Sequence, residues 1–541
     1  MDDQQRLLLS GDEAIALAAW RSGVALGAGY PGTPSTEILE NFSRHGGRAQ
    51  WSPNEKVALE VAIGAAFGGA RAIATMKHVG LNVASDPLFT VAYTGVPGAL
   101  VIISADDPGM HSSQNEQDNR RYAVAAGAPM IEPSDSQEAY DFLRAALAIS
   151  ERWNTPVLYR ATTRVCHSSS VVQARDERQE PIAANFVRDL KARVMVPGNA
   201  RAAHRRLRQK LSVMAEWGET CSLNRIVPGS KSLGIITSGI SFMHAREAAP
   251  EASVLKLGFT HPLPLRLIAE FAAGVERCVV IEEGDPYLVD AIRAAGIQVE
   301  GKAEMYRFGE LDVARTRRIL RGDVSAESSP PPGKPPQLCD ACSYRLVFDT
   351  LRRLNCIVAG DIGCYTLGAL RPFEAIDSCV CMGASLGIGL GLRHVLPPDQ
   401  GGRVVSVIGD GTFLHSGVSG LIEMAYNPPP NGHVVIILDN STTAMTGHQE
   451  HPGTGRHLNH EPAAKVVIED LARACGIRRV QVVEPRAGSD TFERALTDAL
   501  ESHELTVLIA RRPCVLIARD LKEYEQRSKL PRNGQSCALA V

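Results

Sequence analysis

The stretch V-V-S-V-I-G-D-G-T-F-L-H-S-G (404–417) runs an apolar, β-branched segment into a glycine–aspartate–glycine turn, and H-V-V-I-I-L-D-N (433–440) repeats the pattern, ending on Asn440. A continuous apolar run of this kind predicts a strand buried on both faces, and such strands belong to parallel sheets covered by helices. Working outward, R-A-I-A-T-M-K (71–77), A-L-V-I-I-S-A (99–105), S-L-G-I-I-T-S (232–238) and C-V-V-I-E-E (278–283) read the same way and alternate with alanine-rich helical runs. The expected fold class is α/β, multi-domain, with doubly wound parallel sheets.

A chain of 541 residues exceeds one hydrophobic core, since domains run roughly 100–200 residues each. The basic run R-A-A-H-R-R-L-R-Q-K (201–210) reads as a connecting helix with a solvated face, and S-A-E-S-S-P-P-P-G-K-P-P-Q (325–337) as a proline-rich spacer. The expected organisation is a domain over 1–195, a helical connector over 196–229, a middle domain over 230–322, a linker over 323–335, a domain over 336–520 and a tail over 521–541. With 44% apolar residues, 22% charged residues and a net charge of -3, nothing electrostatic points to nucleic acid or anionic lipid. M-D-D-Q-Q-R at the start lacks the pattern of a signal peptide and no run is long and apolar enough to span a membrane, so a cytoplasmic location is expected. In a reducing compartment the 12 cysteines are either buried thiols or metal ligands.

Glycines at 409 and 411 let backbone N–H groups approach phosphate oxygens, and Asp410 between them is placed to reach a divalent ion. Asn440 supplies a neutral hard ligand at the end of the second strand, and the carbonyl of Thr442 a third. Asp410, Asn440, that carbonyl, two phosphate oxygens and a water complete an octahedral Mg2+ site. Both elements fall at the carboxyl ends of strands expected to be adjacent, where open α/β sheets bind ligands.

G-D-G followed at this distance by asparagine is the thiamine diphosphate motif. The longer set L-C-D-A-C, G-D-I-G-C-Y-T-L-G-A-L, C-M-G-A-S, G-D-G-T-F-L-H-S-G and L-D-N-S-T-T-A-M-T-G-H-Q-E-H-P-G-T-G resembles the large subunit of the indolepyruvate ferredoxin oxidoreductases, within the 2-oxoacid ferredoxin oxidoreductase family. The resemblance covers Gly11 to about Arg519. It implies thiamine diphosphate-binding folds at both ends and a transketolase C-terminal-like middle domain, with Gly383 and Met445 among the cofactor contacts. It also implies an acid from the N-terminal domain that hydrogen-bonds the cofactor's aminopyrimidine. W-S-P-N-E-K-V-A-L-E-V-A-I-G-A-A (51–66) offers Glu55 and Glu60, equivalent by local pattern because either suits an early helical turn; the family's spacing to Gly64-Ala65 selects Glu55. In G-Y-P-G-T-P-S-T-E (29–37), Pro34 is expected early in a helix with Thr33 or Ser35 as its cap, while the family places Thr33 on the substrate side. S-A-D-D-P-G-M-H-S-S-Q-N-E-Q-D (104–118) resembles the substrate-proximal loop without the arginine of pyruvate-specific relatives. His111, Ser112 and Gln114 could replace it with neutral donors and Lys77 and His78 are further polar candidates, a plain loop or packing role being the alternative for each.

The family's large subunits usually end in a ferredoxin-like module with tandem cysteine runs, and this sequence ends L-P-R-N-G-Q-S-C-A-L-A-V instead. Cys339, Cys342, Cys364 and Cys514 resemble the four ligands of a proximal 4Fe-4S cluster; buried unligated thiols are the alternative. Cys379 and Cys381 read as core thiols on a strand, and H-Q-E-H (448–451) as loop contacts around the cofactor rather than a zinc site.

Together these features imply thiamine diphosphate- and Mg2+-dependent oxidative decarboxylation of an aryl 2-oxoacid, indolepyruvate- or phenylpyruvate-like. Transfer to coenzyme A is expected, with electrons passing to ferredoxin or another acceptor through a separate small subunit and the chain forming a homodimer. Nonoxidative decarboxylation or ligation, and a noncatalytic cofactor-binding subunit, are the alternatives.

Overall fold

The computed structural model describes residues 4–175, 177–327, 333 and 335–529, and the chain divides into two compact units, residues 1–329 and 330–541. Part of the expected linker (328–332 and 334) and of the expected tail (530–541) lies outside the described residues.

The strands of the first unit are β1 (Gln4–Ser10), β2 (Leu26–Gly29), β3 (Ala49–Trp51), β4 (Arg71–Lys77), β5 (Ala99–Asp106), β6 (Met130–Ile131), β7 (Val157–Thr162), β8 (Ser169–Arg175), β9 (Arg225–Val227), β10 (Ser230–Ser238), β11 (Ala252–Leu257), β12 (Phe259–His261) and β13 (Cys278–Ile281). They form a seven-stranded sheet in the order β12-β6-β7-β5-β4-β2-β3, a four-stranded sheet β13-β10-β11-β9 and an antiparallel pair β1-β8. Neighbours from β6 to β3 run parallel, as the continuous apolar runs predict. One feature differs from a clean separation at residue 230: β12, from the middle segment, pairs antiparallel with β6 and so extends the N-terminal sheet. A single apolar core also spans the two larger sheets, joining Ala74, Leu100, Ile102 and Leu158 to Ile236, Leu255 and Val280. Burying each such Val, Leu or Ile contributes about 1.5–3 kcal/mol.

Buried ion pairs reinforce this junction. Arg120 donates to Asp118 and, at 2.7 Å, to Glu282 just beyond β13, while Lys256 on β11 donates to Glu138 at 2.5 Å. The basic helix Pro197–Gly218 buries Ala203, Leu207, Leu211 and Met214 on one face and leaves Arg201, Arg205, Arg206 and Arg208 in solvent. Its charge is the solvated face expected of it.

The second unit contains β14 (Ile357–Ala359), β15 (Val404–Gly409), β16 (His433–Asp439), β17 (Arg479–Val483) and β18 (Leu505–Arg511), an all-parallel sheet in the order β14-β15-β16-β18-β17. Successive side chains of β16 serve two cores: Val434, Ile436 and Leu438 face one, Val435 and Ile437 the other. The unbroken apolar pattern thus has a layer on each side of the sheet. The tail expected from 521 instead begins inside the helix Ala518–Lys529, where Tyr524 stacks on His460 at 4.8 Å between centroids. Among the described residues, no helix is long and apolar enough to cross a membrane.

Candidate active site

At the carboxyl end of β15, Asp410 opens a helical segment and is buried. Its Oδ1 accepts the N–H of Gly411 at 2.8 Å and its Oδ2 the N–H of Ser441 at 2.9 Å. Ser441 follows Asn440 at the end of β16, so the two motifs meet through one hydrogen bond across adjacent strands. Asn440 is also buried; its Oδ1 accepts the Thr442 N–H at 3.2 Å, and the Thr442 hydroxyl donates to the Gln449 carbonyl. Two further groups converge here: His451, from the H-Q-E-H loop, and Asp439, which the sequence pattern did not single out. His451 Nε2 stands 3.3 Å from Asp410 Oδ2. Asp439 lies beside Asp410, and its pKa is raised first by burial and then by that neighbouring charge, with Arg511 opposing. Two carboxylates crowded into a buried strand end favour a bound cation, so the residues present fit Mg2+.

Asp361, in G-D-I-G-C-Y, organises the floor. Its carboxylate accepts N–H groups from Ile362 at 2.9 Å, Gly383 at 2.9 Å and Ser385 at 3.0 Å, fixing the start of the helix Ala384–Val395. Gly383 has φ +87°, and a Cβ there would lie 2.6 Å from the Cβ of Ser416, so only glycine permits this contact with the segment after G-D-G. A Cβ at Gly409 would meet the Tyr365 ring at 2.8 Å. Met445 is half exposed on the loop beyond Asn440.

Cys339, Cys342, Cys364 and Cys514 line one cleft next to Asn440. The Cys514 N–H donates to the Asn440 carbonyl at 3.0 Å, which ties the cleft to the strand end. Burial pushes the Cys364 thiol up to about 11, with Cys514, Cys342 and Cys339 adding to the effect. Four cysteines gathered on one cleft form a donor set suited to an iron–sulfur centre. Cys379 and Cys381 are exposed rather than core thiols: the chain leaves its bridge to Ala359 at Ser378 and turns outward, with no strand to carry them inward.

In the first unit, Glu55 begins the helix Glu55–Phe67, capped by Asn54, whose side chain accepts the Val57 N–H at 3.0 Å. The two carboxylates that were equivalent by pattern differ in place: Glu55 is only 5% exposed, whereas Glu60 faces solvent and pairs with Lys56. Glu55 packs on Gly80 so closely that a Cβ there would lie 2.5 Å from its Oε1. Gly80 closes T-M-K-H-V-G (75–80), the segment that also supplies Lys77 and His78. Lys77 donates to the Ser112 carbonyl at 2.7 Å and His78 contacts the Asn115 carbonyl at 3.3 Å, so both hold the 109–118 loop. Burial lowers the pKa of each. His111 is half exposed, with Nε2 3.5 Å from Glu310.

The capping expected in G-Y-P-G-T-P-S-T-E is not what forms. Pro34 lies ahead of the helix Thr36–Arg44, and neither Thr33 nor Ser35 makes a side-chain cap. The Thr36 hydroxyl instead accepts the Gly32 N–H at 3.0 Å and the Ser35 hydroxyl donates to the Gly32 carbonyl at 2.9 Å, closing the turn on itself.

Two family models match the chain: "Pyruvate flavodoxin/ferredoxin oxidoreductase, thiamine diP-bdg" over residues 17–211 and "Thiamine pyrophosphate enzyme, C-terminal TPP binding domain" over residues 361–510. Fold and site therefore define the thiamine diphosphate-binding class. A 2-oxoglutarate:ferredoxin oxidoreductase structure from Magnetococcus marinus shares the fold, with a TM-score of 0.50 at 17% identity over 60% of this chain and 66% of that one. Indolepyruvate oxidoreductase subunit IorA from Archaeoglobus fulgidus is 38% identical over 99% of this chain and 91% of its own, and that from Methanothermobacter marburgensis 41% identical over 94% and 87%. The chain belongs to the IorA family of 2-oxoacid:ferredoxin oxidoreductases.

Proposed function

We propose that this chain is the thiamine diphosphate-binding subunit of an enzyme that oxidatively decarboxylates an aryl 2-oxoacid, forms the coenzyme A thioester and passes electrons to ferredoxin through a separate small subunit. The observation that carries this reading is the meeting of Asp410 and the Asn440–Thr442 loop across adjacent strands, 2.9 Å apart at the Ser441 N–H. Family membership supports the substrate class. When bound, thiamine diphosphate supplies the carbanion-stabilising chemistry that 2-oxoacid decarboxylation requires.

The chain's own residues divide the remaining work. Asp410, Asn440 and the Thr442 carbonyl hold Mg2+, with Gly409, Gly411 and Gly383 keeping the backbone open to the diphosphate and Met445 contacting the cofactor. Glu55, buried at its helix start, holds a proton at the aminopyrimidine nitrogen, and Thr33 and His111 serve the substrate side. Cys339, Cys342, Cys364 and Cys514 hold one 4Fe-4S cluster as the first electron acceptor. We also infer that the active form is a homodimer of this chain with its small partners.

Anaerobic turnover of a panel of 2-oxoacids with coenzyme A and a viologen dye, with and without the small subunit, tests the reading. Dye reduction specific to aryl 2-oxoacids and dependent on the small subunit is expected. Aldehyde released without an acceptor, at the rate of 2-oxoacid loss, would establish nonoxidative decarboxylation instead, and no turnover in any combination a noncatalytic subunit. Iron and labile sulfide, assayed on anaerobically purified protein, should be stoichiometric and fall in Cys342→Ala.

A further inference from the structure

A second cluster of ligating side chains stands in the first unit and takes no part in the proposed chemistry. One ligand atom each from Asp12, Glu37 and His167 lies within 4.8 Å of the other two, the only such group of three or more among the described residues. Three elements converge to make it. Asp12 is in the first turn of the helix Gly11–Arg21, Glu37 in the first turn of Thr36–Arg44, which follows β2, and His167 ends the helix Thr163–His167, which follows β7. Two of the three donors therefore stand beyond the carboxyl ends of parallel strands, the edge where open α/β sheets bind ligands. Gly11 allows the approach: a Cβ there would lie 2.0 Å from the Val165 carbonyl oxygen, so the start of its helix rests directly on the Cys166–His167 turn.

The second observation concerns Asp12 itself. It is 1% exposed, and no nitrogen or hydroxyl donor reaches either of its carboxylate oxygens, the Cys166 thiol being its hydrogen-bonding neighbour. The Cys166 thiol approaches and lowers its pKa somewhat, but burial dominates and pushes it well above the ordinary carboxylate range, helped by Glu37 and Glu13. Glu37 adds another buried oxygen that accepts no hydrogen bond, Oε2, which is 3.9 Å from His167 Nε2. Leaving a buried acceptor unsatisfied costs about 1–3 kcal/mol, and here the unsatisfied oxygens face one another and an imidazole.

We propose that Asp12, Glu37 and His167 bind one divalent transition-metal cation of the Mn2+ or Zn2+ type. Two carboxylates neutralise its charge, and the imidazole selects against Mg2+ and Ca2+, which favour all-oxygen shells. Ligand bonds of about 2.0–2.2 Å require the donors to close by a fraction of an ångström. The side chains of Glu37 and His167 have room for this, being 46% and 41% exposed, and they leave an open side for water ligands.

Mn2+ is the probe of choice because soft thiolates do not select it, so the cysteine cleft does not compete. Chelator-treated full-length Asp410→Asn protein, free of thiamine diphosphate, is titrated with Mn2+ and followed by electron paramagnetic resonance. One bound ion per chain is expected, with nitrogen hyperfine coupling from the imidazole. Adding His167→Ala should abolish that coupling and weaken binding by at least about tenfold, as loss of even an outer-shell partner does; Glu37→Gln should weaken it similarly. Both side chains border solvent, and unchanged circular dichroism and melting in these variants confirm that binding, not folding, is read. No stoichiometric Mn2+ in the parent, or nitrogen coupling that survives His167→Ala, would overturn the proposal.

Discussion

Gly80→Ala separates the position of Glu55 from its identity. A Cβ at residue 80 would sit 2.5 Å from Glu55 Oε1, 2.7 Å from its Cγ and 2.8 Å from its Cδ, whereas ordinary van der Waals contact begins at 3.4 Å. Because the overlap reaches Cγ, rotating the carboxylate alone does not relieve it. The side chain must retreat by about 1 Å, and a misplacement of that size costs on the order of 10²-fold in rate. The backbone raises no objection: Gly80 opens the helix Gly80–Val83 without a positive φ, and alanine in a helix is favoured over glycine by about 0.5–1 kcal/mol. Hydrogen–deuterium exchange at the thiazolium C2 of bound thiamine diphosphate, read by quench-flow NMR, should slow about 100-fold in protein that remains folded, with overpacking lowering stability by about 1–3 kcal/mol less the helix gain. Glu55→Gln should slow it by about 10² to 10⁴. Near-normal exchange in folded Gly80→Ala protein would refute the assignment of Glu55 as the positioned acid.

Arg160→Met removes the cation that holds Asp106 at 2.6 Å and Glu132 at 2.7 Å; stranding two buried carboxylates should cost about 3–5 kcal/mol in urea unfolding, and a loss below about 1 kcal/mol would contradict that pairing. Asp361→Asn turns an amide donor toward at least one of three backbone N–H groups, so it should destabilise by about 1–3 kcal/mol and weaken thiamine diphosphate binding in a thermal-shift titration. Burial opposes ionisation of Asp118, but Arg120 and Arg160 outweigh it and hold the pKa at about 2. A folded pKa below the unfolded one means the stabilisation is full above about pH 4 and fades as pH falls toward 2, worth about 2 kcal/mol at the plateau; Asp118→Asn should flatten acid unfolding over that interval.

The strands, and the meeting of the two strand-end motifs, were legible because each is written locally. β16 is apolar without a break from Val434 to Leu438, and the span from Asp410 to Asn440 is one helix crossover between neighbouring strands. Glu55 needed more than pattern, since local spacing leaves it equal to Glu60 and burial against Gly80 distinguishes them only in three dimensions. What escaped the sequence depends on pairings between distant segments. Asp361 reads as a turn residue until Gly383 and Ser385 arrive with their N–H groups. His451 lies in a motif read as loop contacts around the cofactor, but which of its residues reaches Asp410, His451 at 3.3 Å, is fixed only by the folded loop. Cys379 and Cys381 alternate as strand residues do, but no neighbouring strand is there to receive them. The turn at Thr33–Pro34 carries every letter of a helix start, and the Gly32–Thr36 bond forms ahead of one.

The antiparallel addition of β12 to β6 decides how this polypeptide can be cut. A fragment ending before residue 230 would leave the two-residue β6 as an open sheet edge, a template for aggregation, and would strip Glu282 from Arg120 and Lys256 from Glu138. Gene dissection at the sequence boundary near 230 should therefore give insoluble halves, whereas separation near 329–330 respects both compact units. A strand only three residues long thus ties the middle segment to the first sheet.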